Sequence, residues 1–134
     1  MAGTITQAVT TVVDHVKVVT LTCTADSSDG SYPATALTGV PSNGVGGRLL
    51  QLVTNPGSTA PQDNYDITLT DAEGSDFLLG KGANRDTSNS EVAVIQIDGA
   101  HPVYAGTDTL TVNITNNNVN NAVVVIKLYY TEGI

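Results

Sequence analysis

Few side chains in this sequence have the type and spacing for chemistry. The two histidines, His15 and His101, stand alone, and His101 precedes Pro102 in a loop. A catalytic triad needs a nucleophile held against a base, and no nucleophile-elbow motif occurs. The one cysteine, Cys23, lies in a strand-like run and reads as a buried, inert thiol. Asp71, Glu73 and Asp76, or Asp26 and Asp29, offer hard oxygen ligands for calcium. However, Asp26-Ser27-Ser28-Asp29-Gly30 lacks the EF-hand alternation, and acidic turns of this kind read first as solvated turns. Gly44, Gly46 and Gly47 are not followed by the Gly-Lys-Ser/Thr of a phosphate loop. Paired carboxylates for glycoside hydrolysis are compatible with the sequence, but aromatic residues make up only 4%, leaving few platforms for a sugar. We therefore expect no catalytic residues, no cofactor and no metal, and a protein built for contacts.

Composition narrows the partners. The chain has 134 residues, which suits a single domain over 1–134, with one core made without disulfides. With no Trp and one Phe, that core must be Val, Ile and Leu, which favour strands, as do the many Thr residues. Net charge is −8, and the five bases Lys17, Arg48, Lys81, Arg85 and Lys127 are scattered. Nucleic acid and anionic membranes both require clustered bases, so neither is an expected partner. A lone thiol fits a reducing compartment. The N-terminal stretch lacks the pattern of a signal peptide, and no apolar run approaches a membrane span.

The elements that must position any contact surface are strands. Residues 4–13 alternate weakly, with Ile5, Val9 and Val13 against Thr4, Thr6 and Thr10. They predict an edge strand or an extended arm over 1–13 that adds to a neighbour. Val16–Thr24 has period two, with Val19, Leu21 and Cys23 on one face. Residues 25–47 are rich in turn formers, including Asn43-Gly44, with a short element expected near 34–37. Strands are expected over 48–53, 64–70, 91–98 and 109–115, with a tight turn over 71–74. Ala93, Ile95 and Ile97 should share one face of the 91–98 strand. Asn116–Asn121 predicts a hairpin, since Asn tolerates left-handed backbone. The last strand, 122–131, is apolar on both faces, which marks a central or interface strand. Seven or eight short strands without an amphipathic helix predict an all-β, antiparallel β-sandwich, jelly-roll-like.

Several stretches carry a family likeness. They are Gly47-Arg48-Leu49-Leu50, Asn55-Pro56-Gly57 with Ala60-Pro61, and Asp63-Asn64-Tyr65-Asp66-Ile67-Thr68-Leu69. Asp71-Ala72-Glu73-Gly74 with Asp76, Gly82-Ala83-Asn84-Arg85-Asp86-Thr87 and Val124-Val125-Ile126-Lys127-Leu128-Tyr129-Tyr130 complete the set. In these phrases the chain resembles a family of small tailed-bacteriophage virion proteins, over about Thr20 to Tyr130. The resemblance implies a capsid cement or decoration protein with a jelly-roll-like fold. It also implies a homo-oligomer, dimer or trimer, bound to the major capsid protein on the outer capsid surface. Such a protein is made in the host bacterial cytoplasm. The resemblance brings no active-site residues, and the 25–47 loop does not share its pattern. Another virion part (head fibre base, neck or tail) is the alternative, and a carbohydrate-binding or hydrolytic β-sandwich is the alternative of another class.

The residues themselves point to an interface. The second apolar face of the last strand, Val123, Val125 and Tyr129, predicts self-association through that strand. Ile5 and Val9 are the contact residues expected of the N-terminal segment. Arg85 offers a planar fork of donors and should pin its own loop, inside the protomer or across a boundary.

Overall fold

The computed structural model describes residues 2–41 and 44–133, so the turn expected at Asn43 lies outside it. Among these residues nine strands form: β1 (Thr4–Val13), β2 (Val16–Thr24), β3 (Thr35–Ala36), β4 (Gly47–Pro56), β5 (Asp66–Thr70), β6 (Glu91–Val94), β7 (Val103–Tyr104), β8 (Thr111–Thr115) and β9 (Val123–Thr131). They build two antiparallel sheets, as the all-β expectation requires. The larger has the order β1-β2-β9-β4-β6, with β7 pairing a second stretch of β4; the smaller is β3-β8-β5. Every connection except β1–β2 and β6–β7 carries the chain to the opposite sheet.

Period-two alternation explains how the sheets meet. Val19, Leu21 and Cys23 of β2 lie opposite Leu128, Ile126 and Val124 of β9, and all six are buried. From the smaller sheet Ile67, Leu69, Val112 and Ile114 close onto them in one shared core. That core leaves a space of only about 10 Å³ between Leu21, Leu52, Ile67, Val112 and Leu128. An apolar void of this size holds at most one water and no ligand.

Four expectations need correction. Asn116–Asn121 is not a hairpin, because β8 pairs β5 in the smaller sheet while β9 pairs β2 and β4 in the larger. The Asn residues instead take the chain across the sandwich. Asn116 and Asn121 adopt positive φ, and Asn117 Nδ2 donates to the Gly30 carbonyl. The strand expected over 91–98 stops at Val94. Ile97 and Ala100 then exchange backbone hydrogen bonds around Asp98-Gly99, both at positive φ, as in a two-residue hairpin turn. Ile95 is buried but Ile97 is exposed, so the two do not share the face of Ala93. Finally, β7 has no counterpart among the strands expected from sequence.

The segment 4–13 is an ordered edge strand, hairpinned to β2 through Asp14-His15. Its inner face is tied to the 35–39 loop. Gln7 Nε2 donates to the Ala36 carbonyl, and the Thr38 amide donates to Gln7 Oε1. The last strand is central, with β2 on one edge and β4 on the other. Only its outward face is open to a partner.

Candidate functional site

Three of the stretches that carry the family likeness, 63–69, 71–76 and 82–87, converge on one loop network. Asp66 Oδ1 accepts from the Asn84 amide at 2.9 Å, and Ile67 N donates to the Gly82 carbonyl at 2.8 Å. Gly82 has to be glycine, since a Cβ there would overlap the Ile67 carbonyl. Asn84 sits at φ 55°, which Asn tolerates better than most residues. Asp71 Oδ1 accepts from the Glu73 and Ser75 amides. Asp76 accepts from Leu69, Leu78 and Gly80 amides. These are turn caps, in which a side-chain oxygen replaces a missing backbone partner.

The four aspartates singled out as possible calcium ligands, Asp26, Asp29, Asp71 and Asp76, are thus engaged with backbone amides. Asp26 caps Ser28 and Asp29, and Asp29 caps Ser31. Bonds from the Ser31 amide and hydroxyl lower the Asp29 pKa below its ordinary 3.8. No group of three or more His, Cys, Asp or Glu able to hold a metal occurs among the described residues.

Arg85 lies at the centre of this network, inside the protomer. Its Nε and Nη2 both donate to the Ala83 carbonyl, at 3.2 and 3.1 Å. Its Nη1 lies 3.5 Å from Glu91 Oε1. The neighbouring Asp86 is not its partner. Asp86 caps Ser88 and Asn89, and those bonds lower its pKa. The Asp86 amide in turn donates to Glu91 Oε1, so Glu91 joins both residues. Glu91 was not singled out from the sequence, because nothing local relates it to a loop five residues earlier.

The remaining reactive groups are quiet. Burial pushes the Cys23 thiol up to about 12. Tyr65, also pushed up to about 12 by burial, has its hydroxyl in the core near Thr54. Thr54 is near enough to lower that pKa slightly, yet neither hydroxyl meets hydrogen-bond geometry with any group. His101 Nδ1 lies 2.7 Å from the Ile95 carbonyl. A surface depression of about 320 Å³ is lined by Val45, Gly46, Gly47, Arg48, Val103, Tyr104 and Gly133. Among the described residues Arg48 is the only charged residue lining it, and no acid–base pair does.

The outward face of the larger sheet is different in kind. Strand pairings align Ala8, Thr20, Lys127, Val53 and Val92 in one row. Thr10, Val18, Tyr129, Gln51 and Val94 form the next row, and Thr6, Thr22, Val125 and Asn55 lie on the other side. Val123 pairs Thr24 at the end of the same face. Among the described residues this face carries no carboxylate and two charges, Lys127 and, at the start of β4, the exposed Arg48, whose amide donates to Thr131 Oγ1. Of the chain's 13 acids only Asp66 and Glu91 lie in strands, each at the first position. Asp66 belongs to the smaller sheet, and Glu91 lies opposite the buried Thr54. Val92 and Val94 are 63% and 48% exposed at the rim. The sequence-predicted Val123, Val125 and Tyr129 therefore share one surface. Ile5 and Val9 lie on the inner side of β1, and Arg85 is in the loop network.

No protein-family model matches the chain, and no curated protein matches it. One chain of a solved structure, the cyanophage Pam1 capsid asymmetric unit, is 15% identical, covering 94% of this chain and 86% of that one. The TM-score is 0.38, a distant likeness that carries no inference about role. No helix among the described residues is long and apolar enough to cross a membrane.

Proposed function

We propose that this chain is a structural virion protein that cements a tailed-phage capsid, seated on the outer surface against the major capsid protein. The observation that carries the proposal is the outward face of the larger sheet. A chain of net charge −8 has kept every carboxylate off one broad, Thr- and Val-rich face. Flat apolar and hydroxyl surface with a depleted charge is what a protein–protein contact buries at its centre. The quiet chemistry agrees, since the aspartates serve as caps and the one thiol is buried. The order β2-β9-β4-β7 facing β3-β8-β5 supports a jelly-roll reading of the sandwich.

The charge at the middle of the face, Lys127, favours an acidic partner. It lies on the central strand, midway along the face. Packing two copies face to face would bring two Lys127 ammonium groups together without a counter-charge, and like charges in a buried contact are costly. The face therefore suits a capsid protein surface with an acidic group, and suits self-association through Val123, Val125 and Tyr129 only where the symmetry axis keeps the two Lys127 side chains apart. The test is binding of the purified chain to empty shells of the major capsid protein from the same genome. Lys127→Glu should weaken binding at least ten-fold with an unchanged melting temperature. Equal binding by wild type and Lys127→Glu would reject this face.

A further inference from the structure

We infer that the free edge of β1 pairs, antiparallel across a two-fold axis, with β1 of a second copy of this chain. The inference supplies a contact for the homo-oligomer that the family resemblance implies. It can be tested in solution without any capsid, so the two readings can fail separately.

An edge strand offers a row of unpaired amides and carbonyls, and monomeric proteins blunt such edges. The usual devices are charge, proline, shortness, a bulge, or a covering loop. β1 has almost none of them. It runs for ten residues, Thr-Ile-Thr-Gln-Ala-Val-Thr-Thr-Val-Val, without a charge, a proline or a glycine. Its one irregularity against β2 falls at the far end, between Thr11 and Val13. Among the described residues, its backbone pairs with β2, and the stretch 36–39 meets its side chains at Gln7 and Val9. Val9, Val12 and Val13 remain 42%, 51% and 56% exposed along it.

The composition favours a second copy over a foreign strand. A two-fold contact places every residue near its own equivalent, so a charged strand would repel itself, whereas β1 has nothing to repel. Continuity of the two sheets requires opposed residues to share a face. A register centred on Val9 does this, placing Val9 against its equivalent, Ala8 against Thr10, and Gln7 against Thr11. In this register the two Asp14 side chains, next to β1 in sequence, fall at opposite ends, roughly 33 Å apart at about 3.3 Å per residue. That is several times the screening length of about 8 Å at physiological salt. Such an isologous contact closes after two copies. It also joins the two carboxylate-free faces into one continuous surface.

The experiment is sedimentation equilibrium of the full chain from about 1 to 500 µM, beside the double variant Ala8→Lys/Thr10→Lys. Both positions are exposed, and the variant sets lysine opposite lysine across the two-fold. Wild type should reach a dimer, and the variant should remain monomeric, with a dissociation constant raised at least 100-fold and a melting temperature within a few degrees. Thr107→Lys, in an exposed loop away from β1, should dimerise as wild type does. If the double variant fails to fold, amide exchange of wild type decides: protection over residues 4–13 should rise with concentration while β9 stays constant. A wild-type monomer at 500 µM, a trimer, a variant that still dimerises, or concentration-independent exchange in β1 would each overturn the inference.

Discussion

Replacing Arg85 by Lys tests whether the likeness-bearing loops are a structural network. The guanidinium places two donors on the Ala83 carbonyl and lies 3.5 Å from Glu91 Oε1. Its side chain is 17% exposed, so solvent competes little for these contacts. Lysine keeps the charge and can reach one acceptor, but it cannot hold the carbonyl and the carboxylate together. A net intramolecular hydrogen bond is worth about 1 kcal/mol, more when charged. The Glu91 ion pair, partly open to water, adds under about 1 kcal/mol. The expected loss is therefore about 1–2 kcal/mol, or roughly 4–8 °C in melting temperature for a domain of this size. Thermal unfolding of Arg85→Lys, Glu91→Gln and the double variant gives both the loss and the coupling. A melting temperature within 1 °C of wild type for Arg85→Lys would refute the reasoning, leaving Arg85 as a loop charge without a structural duty.

Three further outcomes follow from the same geometry. The paired replacement Thr54→Val/Tyr65→Phe removes two buried hydroxyls that lack partners, and should be neutral or stabilising by about 1 kcal/mol. A loss of more than 1 kcal/mol in chemical denaturation would mean that those hydroxyls are bonded. Cys23 should resist an aromatic disulfide reagent in the native state at pH 8, because its thiol is buried and pushed up to about 12. Labelling should then track global unfolding, and rapid labelling of folded protein would contradict it. Asp29 and Asp86 have pKa values depressed by amide bonds, so their contribution is present above the ordinary 3.8 and lost as pH falls through the lower folded values. The melting temperatures of wild type and Asp86→Ala should differ at pH 6 and converge as pH approaches 2; a constant difference would contradict this.

The two-faced strands were legible in the sequence because alternation is a local property. Leu110, Val112 and Ile114 read as one buried face and are one. What was not legible is pairing between distant strands. The Asn116–Asn121 segment has the left-handed residues of a hairpin, and two of its Asn residues do take positive φ. Only the partners of β8 and β9, dozens of residues away, make it a crossing. The pattern over 91–98 failed for a related reason. Alternation continues through Ile97, but Asp98-Gly99 turns the chain first, and that turn signal outweighs the period. At the candidate site, Val123, Val125 and Tyr129 were readable as a second apolar face. The breadth of that face was not, since it depends on β1, β2, β4 and β6 lining up beside β9. Arg85 was legible as a fork of donors set in its loop, but its carboxylate neighbour, Glu91, was not.

The central claim, that this chain cements a capsid, is tested most directly by the heat resistance of shells. Empty shells of the major capsid protein from the same genome would be heated with and without saturating purified chain, following breakage by light scattering. The account predicts saturable binding and a breakage temperature raised by several degrees, with both effects lost in Lys127→Glu. Shells that bind none of the chain, or that bind it and break at an unchanged temperature, would contradict it.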